Sequence, residues 1–291
     1  MPELPEVETI RLQLDQFLKG LTIVDIQILS PKNFLGKPAD ILGKKVLHAK
    51  RRAKISLIEL EDNFCLAIHL KLTGQLIYRD KQEEISDKKI CEKEGPFAVC
   101  ELPNKFTRVI ITFDNGGKLF FNDLRAFGWI KVLQTQEACT DLPELSKLGP
   151  EANDEKAFSL EYFKEMLSKT KKPIKLVILD QEKLAGVGNI YANEALFAAG
   201  IMPTRSANSL TEEETKKLRE KIIEVLNESI KYKGTSDRDE AYRQLSGQKG
   251  EYQYHLKVYG KTGKPCPGCS GTIERIAVGG RGTFFCPSCQ K

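Results

Sequence analysis

Apolar residues recur at intervals of three and four from near the start of the chain, at Val7, Ile10, Leu14, Phe17 and Leu18, and Gly20 follows them. This is the period of a helix with one buried face, ended by a glycine. The period then changes. Val24, Ile26 and Ile28 alternate with polar neighbours, the region around Leu57 and Glu59 does the same, and Phe64 to Leu70 is mostly apolar. Val109, Ile111 and Phe113 alternate into Asp114-Asn115-Gly116-Gly117, after which Leu119 and Phe121 resume the pattern. Alternation broken by a glycine-rich turn predicts a β-hairpin. Up to about Leu133 the pattern therefore predicts an antiparallel β-sandwich or barrel preceded by one helix. Asp80 to Pro103 is charged and unpatterned, as expected of a surface loop with little part in a core.

Beyond a linker from Cys139 to Pro150 the helical period returns, over Leu160 to Ser168 and Ile174 to Leu179. Leu184-Ala185-Gly186-Val187-Gly188-Asn189 predicts a tight turn into a helix from Ile190 to Phe197. Asn189 suits the N-cap, where it either simply caps the start of the helix or sits among turn amides able to hold a phosphate. Thr211 and Glu214 have the spacing of a capping box, and Leu218, Ile222, Val225 and Ile230 mark the buried face of a long amphipathic helix. No internal repeat or low-complexity segment is present.

Composition narrows the class. A chain of 291 residues with 41% hydrophobic and 29% charged residues fits an ordinary soluble protein of two or three domains, and strand-like sequence followed by helical periods reads as the α+β class. No apolar run reaches membrane-spanning length and no signal peptide is visible, which points to the cytosol or another compartment open to DNA. The net charge is only +5, but Ala241 to Lys291 holds eight Lys/Arg against two Asp/Glu, so this tail alone is +6. A basic module on a nearly neutral body suggests a polyanionic partner, although small surface modules are often basic for solubility alone. Cys65, Cys91, Cys100 and Cys139 have no pattern and read as free thiols. Cys266-Pro267-Gly268-Cys269 and Cys286-Pro287-Ser288-Cys289 are two Cys-x-x-Cys knuckles separated by sixteen residues. A β-hairpin of that length brings four thiolates to one tetrahedral ion. Four thiolates favour a closed, structural zinc over a redox pair or an iron–sulfur site. Val278-Gly279-Gly280-Arg281 supplies the turn, and leaves Arg281 either solvated or facing a backbone phosphate.

The first residues carry candidate chemistry. Loss of Met1 would make Pro2 an N-terminal secondary amine, and α-amino groups titrate near ~7.7–8.0, so part of it is an unprotonated nucleophile at neutral pH. Glu3 and Glu6 share one face of a first helical turn and offer proton transfer; the plainer reading is that Pro and Glu merely favour a helix start. Arg51-Arg52-Ala53-Lys54 reads first as a solvated basic face, with phosphate contact by Lys54 as the functional alternative. His69 to Gly74 and Asn122 to Gly128 read as loops. Each carries an apolar and a cationic side chain, as packing or as a wedge for a base stack.

Pro2-Glu3-Leu4-Pro5-Glu6-Val7-Glu8-Thr9, Gly186-Val187-Gly188-Asn189-Ile190-Tyr191-Ala192-Asn193-Glu194, and the paired knuckles closing in Thr283-Phe284-Phe285-Cys286 together resemble bacterial formamidopyrimidine-DNA glycosylase. The resemblance runs through nearly the whole chain in order. Leu4 favours this branch over the sister endonuclease VIII type, which commonly starts Pro-Glu-Gly-Pro-Glu. It implies an N-terminal β-sandwich (1–134), a helix-two-turn-helix domain (150–245) and a zinc finger (246–291), with DNA held between the halves. It also implies a monomer of the bacterial cytoplasm and nucleoid that acts on duplex DNA bearing oxidised bases or abasic sites, with no membrane partner. Pro2 would be the nucleophile, Glu3 the proton-transfer group with Glu6 supporting it, and Lys54 a lysine near the lesion. His69, Asn189 and Arg281 would hold phosphates. Leu72, Arg125 and Phe127 would fill the space of an extruded nucleotide, and Cys266, Cys269, Cys286 and Cys289 would bind one structural zinc. The chain departs from the pattern at Leu72 (commonly Met), Lys71 (usually Gly), Ala126 (usually Arg), in the length of the Asp80–Pro103 insert, and across Gly234–Gly250, where the family holds its base-recognition loop.

Two other functions fit parts of the chain. A non-enzymatic binder of damaged DNA would need only the zinc hairpin and basic tail, and has no use for Pro2, Glu3 and Lys54. An endonuclease VIII-like glycosylase would take oxidised pyrimidines. An RNA-binding zinc module on an unrelated enzyme is disfavoured by the turn and helix around Asn189.

Overall fold

The computed structural model describes residues 2–81, 99, 101–134, 142–236 and 241–291. These form two compact units, one of residues 1–146 with 232–253 and the other of 147–231 with 254–291. The units do not follow the sequence boundaries. Residues 232–253, which the sequence reading divides between the helical domain and the zinc finger, pack in the first unit.

The first unit begins with α1 (Leu4–Leu18) and continues through β1 (Ile23–Ile28), β2 (Phe34–Leu35), β3 (Val46–Arg52), β4 (Ile55–Leu60), β5 (Phe64–His69), β6 (Gly74–Arg79), β7 (Thr107–Phe113), β8 (Lys118–Asp123), β9 (Trp129–Gln134) and a helical turn, α2 (Pro143–Ser146). The strands form a four-stranded sheet ordered β1-β7-β8-β6 and a five-stranded sheet ordered β2-β9-β5-β4-β3. All pairings are antiparallel except the short parallel pair of β2 with β9. The expected hairpin is β7–β8, with Ile111 opposite Leu119. Ile23, Leu76, Val109, Ile111 and Phe121 of one sheet share a core with Val46, Ile58, Leu66, Ile68 and Ile130 of the other, and Ile10, Leu14 and Leu18 of α1 complete it. Tyr242 and Leu245, from the returning segment, belong to the same core.

Three expectations from the hydrophobic pattern change in the folded chain. Phe17 is exposed and stacks on Tyr78 at 5.9 Å instead of entering the core, because Leu18 already occupies the inward position. Val24 is exposed, and Ile23 fills the buried site of β1. The Asp80–Pro103 insert does have a core role at its end: Val99 and Leu102 cover Ile77, Ile110 and Phe120 on the other face of the four-stranded sheet. Its residues 82–98 and 100, with Cys91 and Cys100, lie outside the described residues, as does Cys139; Cys65 is buried on β5.

In the second unit α3 (Leu160–Ser168) and α4 (Ile174–Leu179) have the bounds predicted, followed by α5 (Asn189–Ala199) and α6 (Glu212–Lys231). Among the described residues no helix is long and apolar enough to cross a membrane. Ser159 caps α3 by accepting from Tyr162 N at 3.1 Å. α5 ends at Gly200, and α6 packs along it, joined by a 2.6 Å hydrogen bond between the Tyr191 and Ser229 hydroxyls. The Thr211–Glu214 capping box forms reciprocally, at 2.8 and 3.2 Å. β10 (Glu274–Val278) and β11 (Arg281–Phe285) make the zinc hairpin, with β11 lying against α5. Its two-residue turn has positive φ at both Gly279 and Gly280 (58° and 74°), a backbone shape that matches the twist of a tight hairpin and suits glycine.

The capping box sets the start of the longest helix in the unit. Thr211→Ala removes one acceptor for an orphan N–H and is expected to cost about 1 kcal/mol, read as a lower thermal midpoint than the wild type. An unchanged midpoint would show the box to be energetically idle.

Candidate active site and zinc module

The N-terminal motif is held rigidly. Glu3 occupies the N-cap of α1 and closes a reciprocal capping box with Glu6, whose Oε2 accepts from Glu3 N at 2.8 Å. Glutamate is not among the preferred N-cap residues, which are Ser, Thr, Asp and Asn. Pro2, Glu3 and Glu6 are all buried. The other oxygen of Glu6 accepts from Thr235 N at 2.8 Å, so one carboxylate joins the helix start to a segment 229 residues away. The approach is close: a β-carbon on Gly234 would stand 2.9 Å from Glu6 Oε1. Tyr242, fully buried nearby, donates to Lys233 O at 3.0 Å; burial first and the Glu6 charge second push its phenol well above the ordinary range.

The basic run does not form the solvated face that was its default reading. Arg51 donates to Glu8 Oε2 at 2.8 Å and to Ala53 O at 2.9 Å, with only 8% of its side chain exposed. Glu8 lies on α1, so this pair fastens the β3–β4 turn to the helix that begins the chain. The turn carries Lys54, which is buried, after Ala53 at φ 49°. Ile55, next along, pairs with His69 across β4 and β5.

His69 accepts from Lys71 N through Nδ1 at 3.0 Å, which leaves Nε2 to carry the ring proton. Its ring meets Trp129 edge-on at 5.7 Å. Desolvation first, then the charges of Lys71, Lys54 and Lys131, hold its pKa down to about 3, so at neutral pH it is an uncharged donor.

Asp123, at the end of β8, organises the two exposed loops. Oδ1 accepts from Thr73 Oγ1 and, at 3.1 Å, from Arg125 N; Oδ2 accepts from Gly128 N at 2.7 Å. Thr73 Oγ1 accepts from Arg125 N at 3.0 Å, which sets the 71–73 turn beside the 124–128 loop. Leu72, Arg125 and Phe127 are thereby presented together and exposed, with the guanidinium of Arg125 5.1 Å from the Phe127 ring centre. Lys71, where the family pattern usually has glycine, adopts φ 52°, and Ala126 does the same. Left-handed backbone is a conformation that favours glycine, and both residues adopt it.

In the second unit the N-cap of α5 is Gly188, and Asn189 is the first helical residue, correcting the expectation that Asn189 is the cap. Its Nδ2 donates to Gly282 O at 3.1 Å, while its buried Oδ1 has no partner among the described residues. Asn189 thus stands beside Arg281, which is exposed at the start of β11. The hairpin is fixed there by groups the sequence reading overlooked. Lys175, fully buried on α4, donates to Gly282 O at 2.9 Å and Thr283 Oγ1 at 2.8 Å, and Asn193 accepts from Phe284 N at 2.8 Å. Glu194 accepts from the amides of Lys257, Val258 and Tyr259 at 2.8, 3.0 and 2.8 Å. Asp123, Thr73, Asn193 and Glu194 all lie within the motif stretches, but the bonds that tie those stretches to other elements reach partners fifty or more residues away, so nothing local marks that role.

The four knuckle cysteines converge as their spacing predicts. Their Sγ atoms all lie within 4.8 Å of one another, with Cys266–Cys289 at 3.7 Å and Cys269–Cys286 at 3.6 Å. Zinc–sulfur bonds of ~2.3 Å in a tetrahedron put sulfurs at about this separation, so the donor set fits one closed structural zinc. Gly268 N and Gly271 N point at the sulfurs of Cys266 and Cys269 at 3.4 and 3.3 Å, a second layer that favours thiolates. The last residues tie the knuckle to the turn that follows α5: Gln290 accepts from Cys286 N and donates to Ile201 O, both at 2.8 Å.

A buried Pro2-Glu3 start on a β-sandwich, a helical unit and a four-cysteine hairpin define a multidomain protein of the zinc-finger class. Family models match in the same order: the formamidopyrimidine-DNA glycosylase N-terminal domain over residues 1–130, its H2TH domain over 148–240, and the zinc finger found in FPG and IleRS over 263–291. Formamidopyrimidine-DNA glycosylase of Desulforamulus reducens is 41% identical, covering 100% of this chain and 99% of its own; that of Bacillus cereus is 37% identical with the same coverage. Among solved structures, the MutM (Fpg) protein of Thermus thermophilus matches with a TM-score of 0.85 at 37% identity over 99% of this chain and 98% of its own. Lactococcus lactis Fpg in complex with abasic-site DNA matches at 0.85 and 33% over all of both chains. The chain belongs to the formamidopyrimidine-DNA glycosylase family.

Two outcomes follow from this geometry. The His69 ring resonances should stay fixed as pH falls from 8 to 5, since its folded pKa lies far below that range; titration near 6.5 would contradict the burial argument. Chelation or Cys286→Ser should unfold the hairpin, read as collapse of the β10–β11 amide resonances together with loss of DNA binding. Retained resonances in metal-free protein would contradict a structural zinc.

Proposed function

We propose that the protein is a bifunctional base-excision-repair glycosylase and abasic-site lyase that removes oxidised purines, 8-oxoguanine and formamidopyrimidines, from duplex DNA. The observation that carries this reading is Pro2, buried directly ahead of a locked Glu3–Glu6 pair, in a chain related to such enzymes from end to end. With Met1 removed, the Pro2 nitrogen attacks C1′ of the damaged nucleotide. The N–C1′ bond forms, the glycosidic bond breaks and the base leaves with a proton. Because the amine is secondary, the opened sugar is held as an iminium with no N–H to lose. That cation acidifies the adjacent C–H, and β- then δ-elimination expels the phosphates on both sides. Glu3 moves the protons, and Glu6 keeps it in place by binding its N–H. Lys54 lies near the lesion. His69 donates Nε2–H to a backbone phosphate as a neutral group, whereas Arg281 brings charge and Asn189 a helix start to another.

Extruding a nucleotide costs a few kcal/mol, and Leu72, Arg125 and Phe127 are offered by their loops to fill the vacated stack. Arg125 would face the orphaned base. Zinc takes no part in the reaction; it holds the hairpin that carries Arg281. The enzyme works as a monomer in the bacterial cytoplasm, at the nucleoid, and has no membrane partner.

The test is borohydride trapping on duplexes carrying 8-oxoguanine, a formamidopyrimidine, an oxidised pyrimidine or a bare abasic site. A covalent adduct mapping to Pro2, strongest with the oxidised purines and much reduced in Pro2→Gly, whose flexible primary amine gives a neutral imine instead of a fixed iminium, is expected. No adduct and no nicking in protein lacking Met1 would leave a damage-binding protein as the reading, whereas undiminished nicking by Pro2→Gly would show that a group other than Pro2 carries the chemistry. A preference for the oxidised pyrimidine would move the assignment to endonuclease VIII chemistry.

A further inference from the structure

The loop that presents Arg125 and Phe127 is fastened at both ends, and at its far end by a residue from another part of the chain. Phe127 is 55% exposed, and Ala126 before it has a φ of 52°, so the loop itself offers little to hold the ring in place. Asp123 fixes the entry, as described. At the exit Gly128 N is taken by Asp123 Oδ2, and Gly128 O accepts from Asn33 Nδ2 at 2.6 Å. The two peptide planes that follow Phe127 are thereby both set by buried side chains.

Asn33 lies 95 residues before Gly128 and is fully buried. It ends a helical turn, Pro31–Asn33, in which its own N–H donates to Ser30 O at 3.0 Å. Its Oδ1 accepts from Ser30 Oγ at 2.6 Å, which fixes the amide so that Nδ2 faces Gly128. Phe34, next in the chain, pairs with Ile130 in the parallel β2–β9 contact, and both enter the shared core. From Ser30 the hydrogen bonds continue. Leu29 N and Ser30 N donate to Arg108 O at 2.9 and 3.0 Å, and the Arg108 guanidinium donates through Nε and Nη2 to Asp123 O at 2.9 and 2.8 Å. The circuit Asp123, Gly128, Asn33, Ser30, Arg108 closes on itself at the base of the loop. Asn33, Ser30 and Arg108 are not among the site residues assigned above.

We infer that Asn33 is a positioning residue for the extrusion of the damaged nucleotide: it holds the exit of the 124–128 loop so that Phe127 meets the base stack at one place. The inference rests on the glycosylase reading of the Pro2 site. A ring that enters a stack is pushed back by the bases it parts, and it parts them only if its own backbone does not yield. Without Asn33 the carbonyl of Gly128 loses its donor in a buried place, and the loop exit gives way under that load. Extrusion costs least for a base that is already unpaired. Dependence on Asn33 is therefore steep for a lesion paired in a duplex and slight for the same lesion in an unpaired bubble.

The experiment measures single-turnover excision of an oxidised purine from two duplexes of one sequence, with the lesion paired to cytosine in the first and set in a short unpaired bubble in the second. Asn33→Ala removes the amide, and Asn33→Asp keeps its shape and its acceptor while taking the donor from Gly128 O. Both are expected to slow excision from the paired duplex by about tenfold, within the ~10²-fold that a 1 Å misplacement can cost, and to change excision from the bubble by less than about twofold. In a Phe127→Ala background Asn33→Ala should add little, since two changes that act through one side chain are not additive. Ser30→Ala, on a half-buried turn, is expected to act in the same direction more weakly, and carries the test if an Asn33 variant does not fold. Equal losses on both duplexes would make Asn33 merely structural and overturn the inference, as would additive losses with Phe127→Ala or full excision from the paired duplex by all variants. Wild-type protein that excises from neither duplex would instead bring down the glycosylase reading itself.

Discussion

One carboxylate organises the amino-terminal half of this protein. Glu6 accepts from the N–H of Glu3 with one oxygen and from the N–H of Thr235 with the other. Buried amides need partners, and a buried carboxylate is tolerated only where its oxygens are matched by donors. Satisfying both at one residue locks the first turn of α1 and brings the returning segment against it. The candidate nucleophile is thus placed by a rigid helix start instead of a flexible terminus, and Arg51, bound to Glu8 on the same helix, extends the order to the turn bearing Lys54. Reaction at a terminal amine demands this, since an unanchored chain end would spread the nucleophile over many positions.

The second unit solves the corresponding problem for a hairpin too small to fold on its own core. Four thiolates around zinc hold its two ends, while Lys175, Asn193 and Asn189 bind the backbone of β11 from the helices. Burying a lysine is costly unless its protons are met, and here carbonyl and hydroxyl oxygens of the hairpin meet them. The metal sets the hairpin's shape and the lysine–asparagine group sets where it sits on α5. Arg281 inherits its position from both.

The exposed loops show a third use of the same device. Asp123 has no contact with solvent-facing chemistry, yet it receives the amides of Arg125 and Gly128 and the hydroxyl of Thr73. It lets three side chains stand exposed on irregular backbone without the backbone itself being free. His69 is treated similarly: its Nδ1 is taken by a local amide and its charge is suppressed, which leaves Nε2–H as an uncharged donor.

The hydrophobic period, the knuckle spacing and the turn glycines are short-range features, and they determined the elements by themselves. The bounds of α3 and α4, the β7–β8 hairpin, the Thr211–Glu214 cap and the convergence of four cysteines all rest on interactions within one or two turns of chain or on a fixed loop length. Tertiary structure decided the rest. That Lys54 is buried, that Phe17 faces out, that Val99 covers a sheet and that residues 232–253 pack with the first unit depend on partners tens or hundreds of residues away. A sequence states which groups need burial or a hydrogen bond; which distant group supplies it is settled only when the chain closes on itself.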